Sequence, residues 1–220
     1  MRALCAGFPG EYWRGLEPDR YPEEFVAALT RDGWLAALVP EEYGGAGLSI
    51  TAASVILEEI NASGGNAGAC HAQMYTMGTI LRHGSEEQKR RYLPRIASGE
   101  LRLQAFGVTE PTAGSDTTSI KTTATRADGG WVVHGQKIWT SRALYSDLML
   151  LLARTTPVDQ VEKKTLGLST FIVDMKAALG KGAEAAEDPR DRVELSRQLL
   201  ALPYHEAKPS SRYSVSSSGT

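Results

Sequence analysis

The stretch that decides the fold of this chain is "AFGVTEPTAGSDTTSI", which runs from Ala105 to Ile120. It begins as a β-type segment and continues with small and hydroxyl-bearing residues, one proline, and no lysine or arginine. Because proline cannot continue a strand ladder, Pro111 predicts that the strand ends just before it with its last N–H groups exposed. Hydroxyl groups both donate and accept hydrogen bonds, so this strand end suits a flat, polar, uncharged molecule better than a bare phosphate.

Helical patterns fill the chain before this stretch. Residues 21–40 place apolar side chains at helical spacing between two prolines, and residues 66–84 are apolar on nearly all sides, which is typical of a buried helix. Ser49 is the expected N-cap of the helix that follows it. Ser85 and Gln88 form a capping-box pattern, and Pro94 is expected to kink or end the helix that they open.

Strand patterns replace the helical ones from about Leu101. Two β-rich runs flank Asp128-Gly129-Gly130, which predicts a hairpin, and "LYSDLMLLLART" predicts a buried strand. Helices followed by consecutive strands predict an α+β fold with segregated elements. The expected domains are a helical one over residues 1–100 and a β domain over 101–180. Residues 181–220 form a serine-rich tail that we expect to be disordered, apart from one short helix in "VELSRQLLAL".

Composition excludes several classes of protein. The 220 residues are 42% hydrophobic and 23% charged with a net charge of −2, so no basic excess favours nucleic acid. No apolar run approaches the roughly 20 residues that span a bilayer. Cys5 and Cys70 are far apart without metal-ligand spacing, which predicts reduced thiols in a cytoplasmic protein.

Common catalytic and nucleotide-binding motifs are missing from the sequence. It contains no GxGxxG after a strand, no GxxxxGK, no HExxH and no GxSxG. The "GGAG" at Gly44 to Gly47 is interpreted as a loop between helices. We therefore predict no metal site and no serine nucleophile.

A second segment resembles the opening stretch in its chemistry. In "QKIWTS", Trp139 offers a large flat face, and Thr140 and Ser141 offer hydroxyls at a strand end. Gly107 and Gly114 would let a flat ligand approach the backbone, where a Cβ would intrude. On spacing alone, a second interpretation stays open, in which Trp139 is a core anchor and "TEPTAGSD" is an ordinary loop.

Taken together, these motifs resemble the acyl-CoA dehydrogenase family. "GVTEPTAGSD" is similar to the family's signature segment and "GQKIWTS" to its downstream tryptophan-containing strand. "WLAALVPEEYGGAGLS" and "GSEEQKRRYLPRIASGE" match in the helical part, so the likeness covers about Phe8 to Met175. The resemblance implies an all-helical N-terminal domain, an antiparallel β-barrel-like middle domain, and FAD held between that domain and a C-terminal helical bundle.

The resemblance also implies which residues contact the cofactor. Val108 and Thr109 would lie beside the isoalloxazine ring, Ser115 on the acyl-CoA side, and Ser141 near flavin N5. Glu110 is interpreted as a structural carboxylate of the turn. The complete set of implied flavin contacts is Phe106, Gly107, Val108, Thr109, Gly114, Ser115, Trp139, Thr140 and Ser141, with Ser115 also contacting the substrate.

The family reaction is α,β-desaturation of an acyl-CoA thioester with hydride transfer to flavin N5. Electron-transfer flavoprotein would be the acceptor, and homo-oligomers are typical of the family. Acyl-CoA oxidases share the same scaffold and stay open as an alternative.

The likeness to the family stops near Gly182. Because the family's catalytic glutamate lies in the helical bundle, no residue of this chain is assigned as the base, and we expect the chain to be inactive alone. We expect the tail from about Gly182 to be a frameshifted or mispredicted extension. Two alternatives stay open: a non-catalytic flavin- or acyl-CoA-binding subunit, and a truncated remnant without function.

Overall fold

Helices come first and strands follow in the computed structural model, which describes residues 1–17, 20–127, 130–175 and 192–195. The described helices are α1 (Arg2–Cys5), α2 (Gly10–Arg14), α3 (Glu23–Arg31), α4 (Ile50–Ala62), α5 (Gly68–His83) and α6 (Glu86–Ala97). The described strands are β1 (Leu103–Gly107), β2 (Thr123–Ala127), β3 (Gly130–Ile138), β4 (Leu148–Arg154), β5 (Leu168–Asp174) and β6 (Arg192–Leu195). The fold is α+β, as the sequence predicts.

The chain forms two compact units, and the boundary between them falls inside β1. The first unit contains Met1–Ala105 and Leu144–Leu148. The second contains Phe106–Ala143 and the described residues from Met149 onward.

In the first unit, the two predicted helix caps and the predicted buried helix are confirmed. The Ser49 hydroxyl accepts from the Ala52 amide at the start of α4, and Ser85 and Gln88 form the complete capping box of α6. Helix α5 is the buried helix that residues 66–84 predict, with half of its side chains in the core. Cys5 and Cys70 are both free and buried in this core.

One helix prediction in this unit is wrong, and a second is wrong in part. Residues 21–40 do not form one helix, because α3 ends at Arg31 and Gly33 adopts a left-handed φ of 77° that turns the chain away. Pro94 does not end α6, which continues to Ala97, and a kink at Pro94 stays a prediction. Leu93 and Ile96 are buried on either side of the proline, and this packing outweighs the single hydrogen bond that proline removes.

The strands form one mixed sheet. The order of neighbours is β1-β4-β2-β3-β6, and β5 also pairs with β4. The predicted hairpin is present, since β2 and β3 pair antiparallel from Thr123↔His134 to Ala127↔Gly130. Residues 128–129 of its turn lie outside the described residues. Strand β4 is buried along almost its whole length, as predicted.

The prediction of a wholly antiparallel, barrel-like sheet is not confirmed. Strand β2 pairs with β4 in parallel at Thr123↔Arg154, and the described strands do not close on themselves. The parallel pairing arises where the Arg154 amide donates to the Thr122 carbonyl at 2.8 Å, which sets the two chain paths side by side.

A buried arginine ties the loops of this unit together. The Arg154 guanidinium donates to four main-chain carbonyls, those of Thr118 (2.8 Å), Lys164 (3.0 Å), Leu166 (3.1 Å) and Thr156 (3.4 Å). These acceptors belong to the turn before β2 and to the connection between β4 and β5. Arg154 therefore fixes the path of both segments.

The predicted tail over 181–220 lies outside the described residues except for β6. This strand pairs antiparallel with β3, from Gly135↔Leu195 to Ile138↔Arg192. The helix predicted for 193–202 is thus wrong in its first residues, because pairing with the edge of β3 outweighs the local helical spacing. Among the described residues, no helix is both long and apolar enough to cross a membrane.

Candidate functional site

The ends of β1 and β3 lie side by side in the second unit. The Thr109 carbonyl accepts from the Ile138 amide at 2.9 Å, and the Val108 carbonyl accepts from the Lys137 ammonium at 2.9 Å. The two segments singled out in the sequence therefore meet. We call Val108, Thr109, Trp139, Thr140 and Ser141 together the strand-end surface.

Hydrogen-bond donors remain free on the β1 side of this surface. Both carbonyls of Val108 and Thr109 are occupied, but in the described part of the chain their N–H groups have no acceptor. Both residues are half-buried. Since unsatisfied N–H groups at such positions are costly, a ligand with acceptor atoms would stabilise them.

On the β3 side of the surface, Trp139 has an unusual backbone conformation and Thr140 has an unusual buried hydroxyl. Trp139 has a φ of 58°, a left-handed conformation that costs a bulky residue about 1–2 kcal/mol, and 66% of it is exposed. It is therefore not a core anchor, and that part of the alternative is wrong. Thr140 is 3% exposed, yet its hydroxyl has no partner among the described residues. The Ser141 amide donates to the Trp139 carbonyl at 3.0 Å, which tightens the turn.

Glu110 follows the strand-end surface and is held inside the unit. Its carboxylate accepts from the Lys137 ammonium (2.8 Å) and from the amides of Lys121 (2.6 Å) and Thr122 (3.0 Å). Burial alone would raise the pKa of Glu110, but these hydrogen bonds outweigh it and the pKa is lowered. Glu110 is thus a structural carboxylate, as the sequence analysis interprets it.

Lys137 is the buried partner that sequence reasoning missed. Its side chain is fully buried, and burial lowers the pKa of its ammonium while the Glu110 carboxylate opposes that fall. The sequence of β3 did contain a signal for this partner. Lys137 shares the face of β3 that holds the buried Val133, where the alternating pattern requires an apolar residue. A lysine at such a position implies a buried acid opposite it.

The turn beyond Glu110 is closed by local hydrogen bonds. Glu110 and Ala113 exchange two backbone bonds, of 2.9 and 3.1 Å. Asp116 accepts from the Ser119 hydroxyl and from the hydroxyl and amide of Thr118. The Ser119 bond and then the Thr118 bond lower the pKa of Asp116. This turn therefore presents an ionised carboxylate that is already bound.

The remaining predicted contacts lie around the surface at different depths. Gly114 and Ser115 are exposed in the turn, and a Cβ on Gly114 would lie 3.9 Å from Thr109 Cγ2, so Gly114 is beside Thr109. Phe106 is half-buried, whereas Gly107 is buried.

The structure gives Gly107 a reason other than the predicted one. A Cβ on Gly107 would meet Leu151 at 3.2 Å and Met149 at 3.4 Å, so Gly107 is small because of interior packing. At Gly114 a Cβ would meet only Thr109 Cγ2 at 3.9 Å among the described residues, so the approach of a ligand to Gly114 stays a prediction.

The chemistry of the surface suits a neutral planar ring. Among the described residues, it combines N–H groups that lack an acceptor, a buried hydroxyl that lacks a partner and an exposed indole. The Lys137 ammonium beside it is turned inward onto Glu110. An isoalloxazine ring has acceptor atoms along one edge and a flat apolar face, so the residues present fit FAD. Among the described residues, no group of three or more His, Cys, Asp or Glu side chains could hold a metal ion.

Comparison with known proteins gives consistent matches over most of the chain. Residues 9–100 match the family model "Acyl-CoA dehydrogenase, N-terminal domain", and residues 105–193 match "Acyl-CoA dehydrogenase, middle domain". Acyl-CoA dehydrogenase FadE26 of Mycobacterium tuberculosis is 38% identical over 176 residues, which are 80% of this chain and 42% of that protein. The chain thus spans about two fifths of the length of this curated relative.

Two solved structures extend the match to the fold. The ChsE4-ChsE5 complex of Mycobacterium tuberculosis is 37% identical with a TM-score of 0.69, covering 80% of this chain and 45% of the matched chain. An acyl-CoA dehydrogenase of Geobacillus kaustophilus has a TM-score of 0.76 at 25% identity, covering 92% of this chain and 54% of that one.

Proposed function

The chain belongs to the acyl-CoA dehydrogenase family, and on that premise we propose that it forms the flavin-facing part of an FAD-dependent acyl-CoA dehydrogenase. The proposed reaction is α,β-desaturation of an acyl-CoA thioester, in which bound FAD supplies the hydride acceptor. The observation that supports it best is the strand-end surface, where backbone N–H groups without an acceptor in the described ranges lie together with an exposed, left-handed Trp139.

Each residue of the proposed site has a role in binding or orienting the ring. The N–H groups of Val108 and Thr109 would donate to ring acceptors, Trp139 would cover part of the ring, and the hydroxyls of Thr140 and Ser141 would meet its polar edge. Phe106, Gly107 and Gly114 would complete the contacts. The Ser115 hydroxyl would contact the acyl-CoA.

The catalytic base is assigned to none of the described residues. Glu110 is the carboxylate nearest in sequence to the surface, but its oxygens are occupied by Lys137 and two amides. A base must be free to accept the α-proton of the substrate. We therefore propose that this chain alone binds without completing the reaction.

The further family properties are proposed together. They are an acyl-CoA substrate in fatty acid metabolism, electron-transfer flavoprotein as acceptor, a homo-oligomeric assembly, a cytoplasmic location and a barrel-like middle domain. The domain boundaries at 100/101 and 180/181 also stay predictions. A second candidate function is a flavin- or acyl-CoA-binding subunit that completes its pocket with another chain, which the free N–H groups of Val108 and Thr109 favour.

The experiment that tests the proposal is an FAD titration of the purified chain, followed by quenching of flavin fluorescence. The decisive variant is Thr140→Val, because it removes the unpartnered hydroxyl and keeps the shape of the side chain. We expect it to weaken FAD binding by about tenfold while stability is unchanged or higher, since it deletes a buried group that lacks a partner in the free protein.

Thr122→Val is the matched control. Thr122 also has a buried hydroxyl that makes no hydrogen bond of ordinary geometry among the described residues. It lies outside the strand-end surface, and its amide bond to Glu110 is kept. We expect FAD affinity to stay at the wild-type value in this variant. Absence of saturable FAD binding to the wild-type chain, or equal losses in both variants, would contradict the proposal.

A further inference from the structure

Lys137 has a second bond besides its ion pair with Glu110. Its ammonium lies 2.9 Å from the Val108 carbonyl oxygen as well as 2.8 Å from Glu110 Oε1. A buried ammonium is expensive unless its donors are used, and a carboxylate alone uses only part of its capacity. The bond to Val108 therefore places the charge directly on the backbone of the strand-end surface.

The orientation of the next amide follows from peptide geometry. The Val108 carbonyl and the Thr109 N–H belong to one planar trans peptide group, so they point in opposite directions. Because the carbonyl points at the buried Lys137, the Thr109 N–H points away from the interior of the unit. This is one of the N–H groups that has no acceptor in the described part of the chain.

The next peptide group, Thr109–Glu110, is also held by hydrogen bonds, but both its carbonyl and its N–H are bonded within the protein. The Thr109 carbonyl accepts from the Ile138 amide, and the Glu110 N–H donates to the Ala113 carbonyl. Both ends of that peptide are thus satisfied internally. Of these two peptides, the one held by Lys137 is the one whose N–H has no acceptor in the described part of the chain.

The ammonium also changes the strength of that donor. A cation bound to a carbonyl oxygen draws electron density through the peptide group, and hydrogen bonds in series strengthen one another in a low-dielectric interior. The Thr109 N–H is therefore a stronger donor than an ordinary amide. Such a donor favours an acceptor that gains negative charge.

We propose that Lys137 is the positioning residue of the strand-end surface, which holds the Val108–Thr109 peptide so that the Thr109 N–H is presented to a flavin-like ring. The proposal rests on the function proposed above for the ligand, but the orientation of the peptide does not. Glu110 has the separate task of neutralising Lys137. The two tasks can be separated by mutation.

The test compares three variants of the full chain without cofactor. Lys137→Met removes both bonds, and Glu110→Gln/Lys137→Met also removes the carboxylate charge that the single variant leaves buried. Lys163→Met is the control, since Lys163 is exposed and has no part in the surface. Amide hydrogen exchange is measured at Ile138, Glu110 and Ala113, whose bonds flank the Val108 carbonyl, with α5 as the internal reference.

We expect Lys137→Met to speed exchange at these amides by at least about tenfold while α5 is unchanged. In the double variant the urea midpoint should return toward the wild-type value, because no buried charge is left unpaired. Exchange should nevertheless stay fast, because the Val108 carbonyl still lacks its donor. Wild-type exchange in the double variant, or loss of the fold in both variants, would overturn the proposal and leave Lys137 as a mere counter-ion.

A second measurement tests the role of Lys137 separately from the proposed binding of FAD. With FAD added, both Lys137 variants should bind about tenfold more weakly than the wild type, as the loss of one oriented hydrogen bond predicts. Lys163→Met should bind like the wild type. If the wild-type chain binds no FAD, the proposed function fails for this chain, and the exchange result still decides the role of Lys137.

Discussion

Gly135 is the point at which β3 passes closest to the chain that leads into β2. A Cβ built on Gly135 would lie 2.3 Å from the Thr122 hydroxyl oxygen and 2.6 Å from Thr122 Cα. The hydroxyl could rotate away, but the Cα belongs to the backbone, so the two segments would have to separate. With the added strain of a φ of 157°, we expect Gly135→Ala to cost roughly 2–5 kcal/mol of unfolding free energy.

Urea unfolding followed by tryptophan fluorescence measures this loss. The variant Thr122→Ala/Gly135→Ala should recover only a minor part of it, because the Cα of Thr122 remains in the way. A loss below about 1 kcal/mol in Gly135→Ala would refute the reasoning, since it would show that β3 can move off Thr122 freely. Full recovery in the double variant would show that the hydroxyl alone makes the contact.

Three further results are expected. Gly78→Ala adds the same methyl group inside α5, where no described neighbour lies within 4 Å of the added Cβ. It should raise the unfolding free energy by roughly 0.5–1 kcal/mol, and a lower urea midpoint would contradict this. Burial raises the pKa of Cys70 to about 12, so little of this thiol is in the reactive thiolate form. In a Cys5→Ser background, Cys70 should react with a thiol reagent at about pH 8 roughly a thousandfold more slowly in the folded than in the unfolded chain. Equal rates would refute the burial argument. Because the folded-state pKa of Glu110 lies below its ordinary 4.5, the stability it contributes is fully present above that pH and is lost as the pH falls through the folded value. An acid titration of the unfolding free energy should therefore be flatter for Glu110→Gln than for the wild type, and parallel curves would count against this assignment.

Local sequence patterns predicted the elements that depend on neighbouring residues. The caps at Ser49 and Ser85, the hairpin of β2 and β3, and the buried strand β4 all follow from interactions within a few residues or from hydrophobic spacing. The predicted helix over 21–40 failed because apolar spacing continues across Gly33, whose left-handed φ breaks the helix without breaking the pattern. Periodicity alone does not detect such a break.

The site was harder to predict where it depends on distant partners. The residues of the strand-end surface could be named from the sequence, but the alternative of Trp139 as a core residue could not be excluded without its exposure and its φ. Lys137 pairs with Glu110 across 27 positions, and no local rule predicts a bond over that separation. The parallel step between β2 and β4 likewise depends on which chain segments meet in space.

The four hydrogen bonds of Arg154, here called the arginine clamp, restrict the length of the loops of the second unit more than their sequence. All four acceptors of Arg154 are main-chain carbonyls, which every amino acid possesses. Point substitutions at Thr156, Lys164 or Leu166 therefore leave the clamp intact, whereas an inserted or deleted residue between 155 and 167 moves a carbonyl out of reach. In a lineage that keeps Arg154, these three side chains can therefore change without loss of the hydrogen bonds, while the length of the connection stays constant.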